Sequence, residues 1–152
     1  MADSRKGDTG LTDSIAQKNI RKDDKRIIAL AHLDRLSAEL GFAKLEAPAI
    51  KADLENIQKT LIEVMGIISG TGKKLDAKYL LFLEKQSAAP IKEFVLPGVN
   101  RAEAALHLAR TAARLAETAC VAAAAPQEVL AYINRLSLYL FYQAVAQSGK
   151  TP

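Results

Sequence analysis

Five polar side chains between residues 101 and 120 carry the chemistry most open to reading. Glu103, His107, Arg110, Arg114 and Glu117 follow one another at spacings of four, three, four and three. On a helix that spacing stacks them on one face. Alanine fills most positions between them, so neighbouring helices can approach closely. Two arginines and two glutamates held in line on a packed helix are costly unless they pair with each other or with a ligand. Two readings follow: capture of a ligand, or a solvated face laced by i,i+4 pairs such as Glu103 with His107.

A second group with chemical potential lies in residues 1–24. Gly7 and Gly10 let backbone N–H groups come close to phosphate, and Lys6, Arg21 and Lys22 supply positive charge. The pattern is not a Walker loop, because GxxxxGK[ST] is absent. Here too there are two readings, a loop folded over an anion and a disordered leader.

The 152 residues suit one domain with a single core. The net charge of +4 tolerates an anionic ligand such as a nucleotide. Nucleic acid is not indicated, since no dense Lys/Arg patch with interleaved aromatics occurs. Cys120 is the only cysteine and is expected to be a small buried apolar residue, and His32 and His107 are the only histidines. A disulfide framework and a Cys- or His-rich metal site are therefore not expected. With no signal peptide and no membrane-length apolar run, a reducing, cytoplasmic setting is expected.

Helices must position these groups. Ile27, Leu30, Ala31, Leu33 and Leu40 give residues 25–40 an apolar face, with Gly41 as the expected stop. Leu54, Ile57, Leu61, Val64 and Ile68 make a bundle-type seam over residues 50–68, closed by Ser69-Gly70-Thr71-Gly72. A shorter helix is expected over 77–85. Pro90 and Pro97 make 88–100 a loop, in which Phe94-Val95-Leu96 must bury against something. After the helix at 101–120, Pro126 suits the first turn of a last helix ending near 147. Val129, Ile133, Leu136, Leu140 and Ala144 form its core stripe, with Asn134, Arg135 and Ser137 on another side. Tyr139, Phe141 and Tyr142 read as core or subunit-interface packing, and His107 as a hydrogen-bonded structural residue. No stretch alternates long enough to predict a strand. The fold class is all-α, an antiparallel bundle of four or five helices.

Three stretches then match one family in order. They are Gly7-Asp8-Thr9-Gly10-Leu11-Thr12 with Arg21-Lys22-Asp23-Asp24, Asp34 and Leu36; Phe94-Val95-Leu96-Pro97-Gly98 with Leu106-His107, Ala109-Arg110, Arg114 and Ala116-Glu117; and Tyr132-Ile133-Asn134-Arg135-Leu136-Ser137. Together they resemble the PduO-type ATP:cob(I)alamin (corrinoid) adenosyltransferases over nearly the whole chain. The resemblance implies an antiparallel five-helix bundle at 25–148, a nucleotide-binding leader at 1–24, and a homotrimer with active sites between subunits. It implies transfer of the 5′-deoxyadenosyl group of ATP to Co(I) of cobalamin, with triphosphate released. It places Ser4, Arg5, Lys6, Gly7, Thr12, Asp13 and Lys22 on the nucleotide, with Arg114, Glu117 and Asn134 completing that site and Mg²⁺ carried on the phosphates. It pairs Arg110 with Asp34 of a neighbouring subunit, and presses Phe94 on the cobalamin to displace its lower axial ligand. The partners implied are ATP, a reduced corrinoid, and a flavoprotein reductase or cobalamin-dependent enzyme, with no membrane and no nucleic acid.

The residue types agree with that chemistry. Co(I) is itself the nucleophile, so no Ser/His or Cys/His constellation is needed. The leaving group is a polyanion, which calls for fixed positive charge such as Lys22 and Arg114. The chain also departs from the family pattern. Leu115 and Thr118 stand where R-R-A-E-R has arginine, Leu138 where N-R-L-S-D has aspartate, Arg35 where glutamate follows the Asp34 position, Val99 for the second glycine of P-G-G, and Lys6 for a threonine. Two lost arginines weaken a phosphate site by about 1.5–3 kcal/mol for each charged hydrogen bond. These departures favour a second reading, a diverged paralogue that binds ATP or corrinoid as a carrier, sensor or docking subunit. A third is a purely structural bundle whose polar stripe is interface salt bridging.

Overall fold

The structure, a computed structural model, describes residues 4–87 and 95–149. Among these residues there are five α-helices and a two-stranded ladder.

Helix α1 (Lys25–Glu46) starts at Asp24, whose extended backbone lets its carboxylate accept from the Arg26 N–H at 2.9 Å. Ala29, Leu33, Leu36, Leu40 and Ala43 make its buried stripe. The helix runs straight through Gly41, which sequence reasoning took for its end. Gly41 serves packing instead: a Cβ there would lie 3.3 Å from the Gln58 amide of the next helix. That amide donates to the Ser37 carbonyl at 2.9 Å.

Helix α2 (Lys51–Ser69) buries Leu54, Ile57, Leu61, Val64 and Ile68 and ends at Gly70, whose φ of 103° is left-handed. Helix α3 (Ala77–Lys85) begins on an Asp76 cap. Helices α4 (Arg101–Ala122) and α5 (Gln127–Gln147) follow, the first capped by Asn100. Helix α4 lies between α1 and α5, while α2 packs on α1 and α3 on α5. Six alanines on α4 are buried, from Ala105 to Ala119, so this central helix admits close neighbours on both sides. Leu33, Leu36 and Leu40 of α1 and Leu106, Ile133, Leu136 and Leu140 of α4 and α5 fill one core.

Directions are fixed at the ends. Arg101, opening α4, makes a two-pronged contact with Glu46, closing α1, at 2.9 Å for each bond. Asn100 Nδ2 donates to the Gln147 carbonyl at the end of α5 at 2.8 Å. Helix α4 is thus antiparallel to both neighbours.

The leader is folded, contrary to the reading that left it disordered. A 3-10 turn (Ser4–Thr9) leads into β1 (Leu11–Thr12), which pairs antiparallel with β2 (Ile20–Arg21), Leu11 facing Arg21 and Thr12 facing Ile20. Each strand is two residues long, too short to show alternation in sequence. Ile20 is buried, and the backbone N–H groups of Ile15 and Ala16 bond to the hydroxyl and carbonyl of Ser69 at 2.9 and 3.0 Å. These contacts hold the leader against the C-terminus of α2. Among the described residues no helix is long and apolar enough to cross a membrane.

Candidate functional site

The polar stripe of α4 is graded from core to surface. Glu103 and His107 are buried at 0% and 3% exposure, Arg110 and Glu117 are half-buried, and Arg114 is exposed. Glu103 Oε1 and His107 Nε2 lie 3.1 Å apart in the core, not on a solvated face. His107 Nδ1 accepts from Arg110 Nε at 3.0 Å, and the edge of the Phe141 ring approaches the imidazole at 5.9 Å between centroids.

At the outer end of the stripe lies a cleft of about 420 Å³ between α4 and α5. Arg110, Arg114 and Glu117 line one wall, and Asn134, Arg135, Ser137, Leu138 and Phe141 the other. Burial, and then the adjacent Arg114 charge, hold the Arg110 guanidinium below its ordinary value. Two cations set this close favour an anion between the walls. Four residues predicted for the nucleotide site or the subunit contact thus meet in one place.

Two of the predicted leader residues, Thr12 and Lys22, meet in another. A second cleft, of about 460 Å³, lies between the ladder and α1. Thr12, Lys22, Ile27, Ile28, Ala31, His32 and Arg35 line it. Lys22 Nζ donates to the Gly7 carbonyl at 2.9 Å, and a Cβ on Gly7 would lie 2.8 Å from that nitrogen. Lys6 is bonded to Asp13, whose other oxygen accepts from the Asn19 N–H at 2.9 Å. That pairing with Lys6, chiefly, holds the Asp13 carboxyl below the ordinary range. Lys6 and Asp13 therefore shape the leader and do not line its cleft. Ser4 opens the 3-10 turn, and Arg5 in the same turn lies outside the lining.

The two clefts share no lining residue, so one chain does not bring Lys22 and Thr12 together with Arg114, Glu117 and Asn134. Asp34 is exposed on α1, and among the described residues Arg110 bonds to His107 and not to it. Phe94 lies outside the described residues.

Some lining residues escaped the sequence reading. Phe141 was assigned to packing with Tyr139 and Tyr142; those two are buried, while Phe141 is half-buried and faces the cleft. The signal was present: Asn134, Ser137, Leu138 and Phe141 recur at three and four, one face of α5. Glu103 was placed on the stripe but not recognised as a loop anchor. Its Oε2 accepts from the N–H groups of Gly98 and Val99 at 2.7 and 3.0 Å. The Asn100-x-x-Glu103 spacing of a capping box was the available clue. Cys120 is fully buried as expected, and burial pushes its thiol up to about 11.

Comparison with known proteins bears on what these clefts hold. A family model described as cobalamin adenosyltransferase matches residues 2–147. A corrinoid adenosyltransferase of Citrobacter freundii is 32% identical over 160 residues, covering 93% of this chain and 91% of its own length. One of Bacillus subtilis is 31% identical, covering 93% and 83%. Among solved structures, the chain is similar to an arginine-to-lysine variant of the PduO-type corrinoid adenosyltransferase from Lactobacillus reuteri complexed with ATP. That likeness has a TM-score of 0.88 and 28% identity, over 97% of this chain and 94% of that one. A phenylalanine-to-histidine variant complexed with cobalamin and ATP aligns at a TM-score of 0.85 and 27% identity, over 98% and 90%.

Proposed function

The chain belongs to the cobalamin adenosyltransferase family, and from that premise we propose that its two clefts are halves of one site shared between protomers. The protein is a corrinoid adenosyltransferase, moving the 5′-deoxyadenosyl group of ATP to Co(I) of cobalamin. The cobalt electron pair forms the bond to C5′, the C5′–O bond breaks, and its electrons leave with triphosphate. The reaction asks the protein for no nucleophile and no base. It asks for alignment and for fixed positive charge at the leaving group.

The observation that carries the residue assignment is the convergence of Arg110, Arg114, Glu117 and Asn134 on one cleft. Arg114 and Asn134 hold the nucleotide from the α4–α5 side. Lys22 and Thr12, on the leader (1–24) of the next protomer, close over it beside that protomer's bundle domain (25–148). Arg110 meets Asp34 across that boundary. Homotrimer formation is supported by exposed apolar side chains on two helices that pack together, Phe42 and Leu45 of α1 and Leu108 and Leu115 of α4. Mg²⁺ fits as a passenger on the phosphates and water, with Glu117 the acidic side chain lining the α4–α5 cleft among the described residues. Phe94 presses on the corrin, and a flavoprotein reductase supplies the electrons for Co(I). A reducing cytoplasmic setting suits that step.

The structure separates two of the family departures. Arg35 lines the leader cleft beside Lys22 and adds positive charge there. Lys6 is already bonded to Asp13. Leu138, lining the other cleft in place of an aspartate, favours the second reading, a paralogue that binds without efficient transfer. Purified protein mixed with ATP, Mg²⁺ and chemically reduced cobalamin decides between them. Appearance of the adenosylcobalamin spectrum supports transfer. Binding by calorimetry without that spectrum supports the paralogue, and binding of neither ligand defeats both.

A further inference from the structure

The buried end of the α4 stripe connects two parts of the proposed site that are remote in sequence. Glu103, His107 and Arg110 stand at i, i+4 and i+7 on one face of α4. Glu103 is fully buried and acceptor-only as a carboxylate. Its Oε2 receives the N–H groups of Gly98 and Val99. Its own N–H is capped by Asn100 Oδ1 at 2.9 Å, so the carboxylate grips the turn entering α4. Its Oε1 lies 3.1 Å from His107 Nε2 without the alignment of a hydrogen bond, and neither atom has a hydrogen-bond partner among the described residues. At the far side of the ring, Nδ1 accepts from Arg110 Nε. An Nδ1 that accepts carries no proton, so the single ring proton sits on Nε2, the nitrogen beside the Glu103 carboxylate. Arg110 then delivers its remaining guanidinium donors to the α4–α5 cleft.

We propose that Glu103 and His107 are positioning residues that fix the Arg110 guanidinium in the cleft and couple it to the loop that follows Phe94. The proposal rests on the reading of that cleft as the nucleotide half-site. The logic is that of a carboxylate–imidazole pair orienting a third group. The carboxylate selects the ring tautomer, the tautomer offers a lone pair to Arg110, and the arginine is held in one pose. The same carboxylate holds Gly98 and Val99, so a shift of that loop on corrin binding pulls on the buried end of the chain.

The variant Glu103→Gln separates the two jobs of Glu103. Its amide oxygen still accepts from Gly98 and Val99, which turns the NH₂ group toward His107. Facing a donor, the ring moves its proton to Nδ1 and can no longer accept from Arg110. Long-range ¹⁵N–¹H NMR on imidazole-labelled protein reads the tautomer directly and independently of any activity. The wild type is expected to show protonated Nε2 at neutral pH, and Glu103→Gln protonated Nδ1. With that switch, the Kd for Mg-ATP by calorimetry and the kcat/KM for adenosyl transfer should each worsen about tenfold, the scale of a lost charged hydrogen bond. A wild-type ring protonated on Nδ1, or on both nitrogens, overturns the proposal without recourse to a variant. So does a switched tautomer that leaves Mg-ATP affinity within about twofold of wild type. Absence of transfer in the wild type defeats the functional reading alone, because tautomer and Mg-ATP affinity still judge the relay.

Discussion

Lys22 reaches back across the leader to donate from Nζ to the carbonyl oxygen of Gly7 at 2.9 Å. The backbone N–H of Lys22 also bonds to the Gly10 carbonyl at 2.9 Å, so both ends of the residue are held by the glycine turn. The ammonium retains two further donors, aimed from a preformed loop rather than from a free tail. Pre-ordering of this kind lowers the entropy that ligand binding must otherwise overcome.

Replacing Lys22 with Ala should therefore act on ATP more than on folding. A charged hydrogen bond contributes about 1.5–3 kcal/mol, so kcat/KM for ATP should fall by about tenfold to a hundredfold. The melting temperature should stay near that of the wild type, because Lys22 is exposed. Steady-state kinetics with reduced cobalamin, alongside a thermal melt, checks both statements. Unchanged ATP kinetics would remove Lys22 from the nucleotide site.

Arg35 tests whether the chain has rebalanced its charge. It lines the leader cleft with Lys22 and approaches Glu39 at 3.7 Å. Arg35→Glu restores the acidic residue of the family pattern, yet here it should raise the KM for ATP by about tenfold, because it reverses an exposed charge beside the phosphates. An improved KM would show that Arg35 does not serve the nucleotide.

Legibility differed by element for physical reasons. The seam of α2 and the left-handed stop at Gly70 were plain, because a single buried face and a glycine leave strong local marks. The end of α1 was misplaced, because Gly41 answers to Gln58 on another helix and not to its own chain. Asn134, Arg114 and Glu117 are assigned to one site by motif, and all three line the α4–α5 cleft. The relay through Glu103 was not legible as a relay, because its partners are backbone N–H groups, which any residues but proline at 98 and 99 could offer. The two-residue strands of the leader were invisible for want of length.

His107 gives the protein a pH dependence of known sign. Burial first, and then the Arg110 charge, lower its pKa from the ordinary 6.5, against an opposing pull from Glu103. The folded state thus holds the neutral ring while the unfolded chain protonates more readily. Stability from this site is complete above pH 6.5 and is lost as pH falls through the folded-state value. The melting temperature should decline on acidification below pH 6.5, before the carboxylates of Asp13 and Asp24, both held below their ordinary value, begin to titrate. Melts of His107→Gln over the same range should show a flatter profile. A wild-type profile that is flat, or that rises toward acid, would contradict the assignment.

The separation of the two clefts makes the subunit boundary testable without a structure of the assembly. Lys22→Ala damages only the leader half and Arg114→Ala only the α4–α5 half. If each site takes one half from each of two protomers, co-assembling the two variants creates sites with a sound leader from one chain and a sound cleft from the other. With random mixing, roughly a quarter of sites would be intact, since each half is drawn independently from an equal pool. Activity should rise to about that share of wild type, far above either variant alone. Sites built within one chain would each carry one lesion or the other, and mixing would restore nothing. Recovered activity with the adenosylcobalamin spectrum therefore reports both the shared site and the identity of the residues on its two sides.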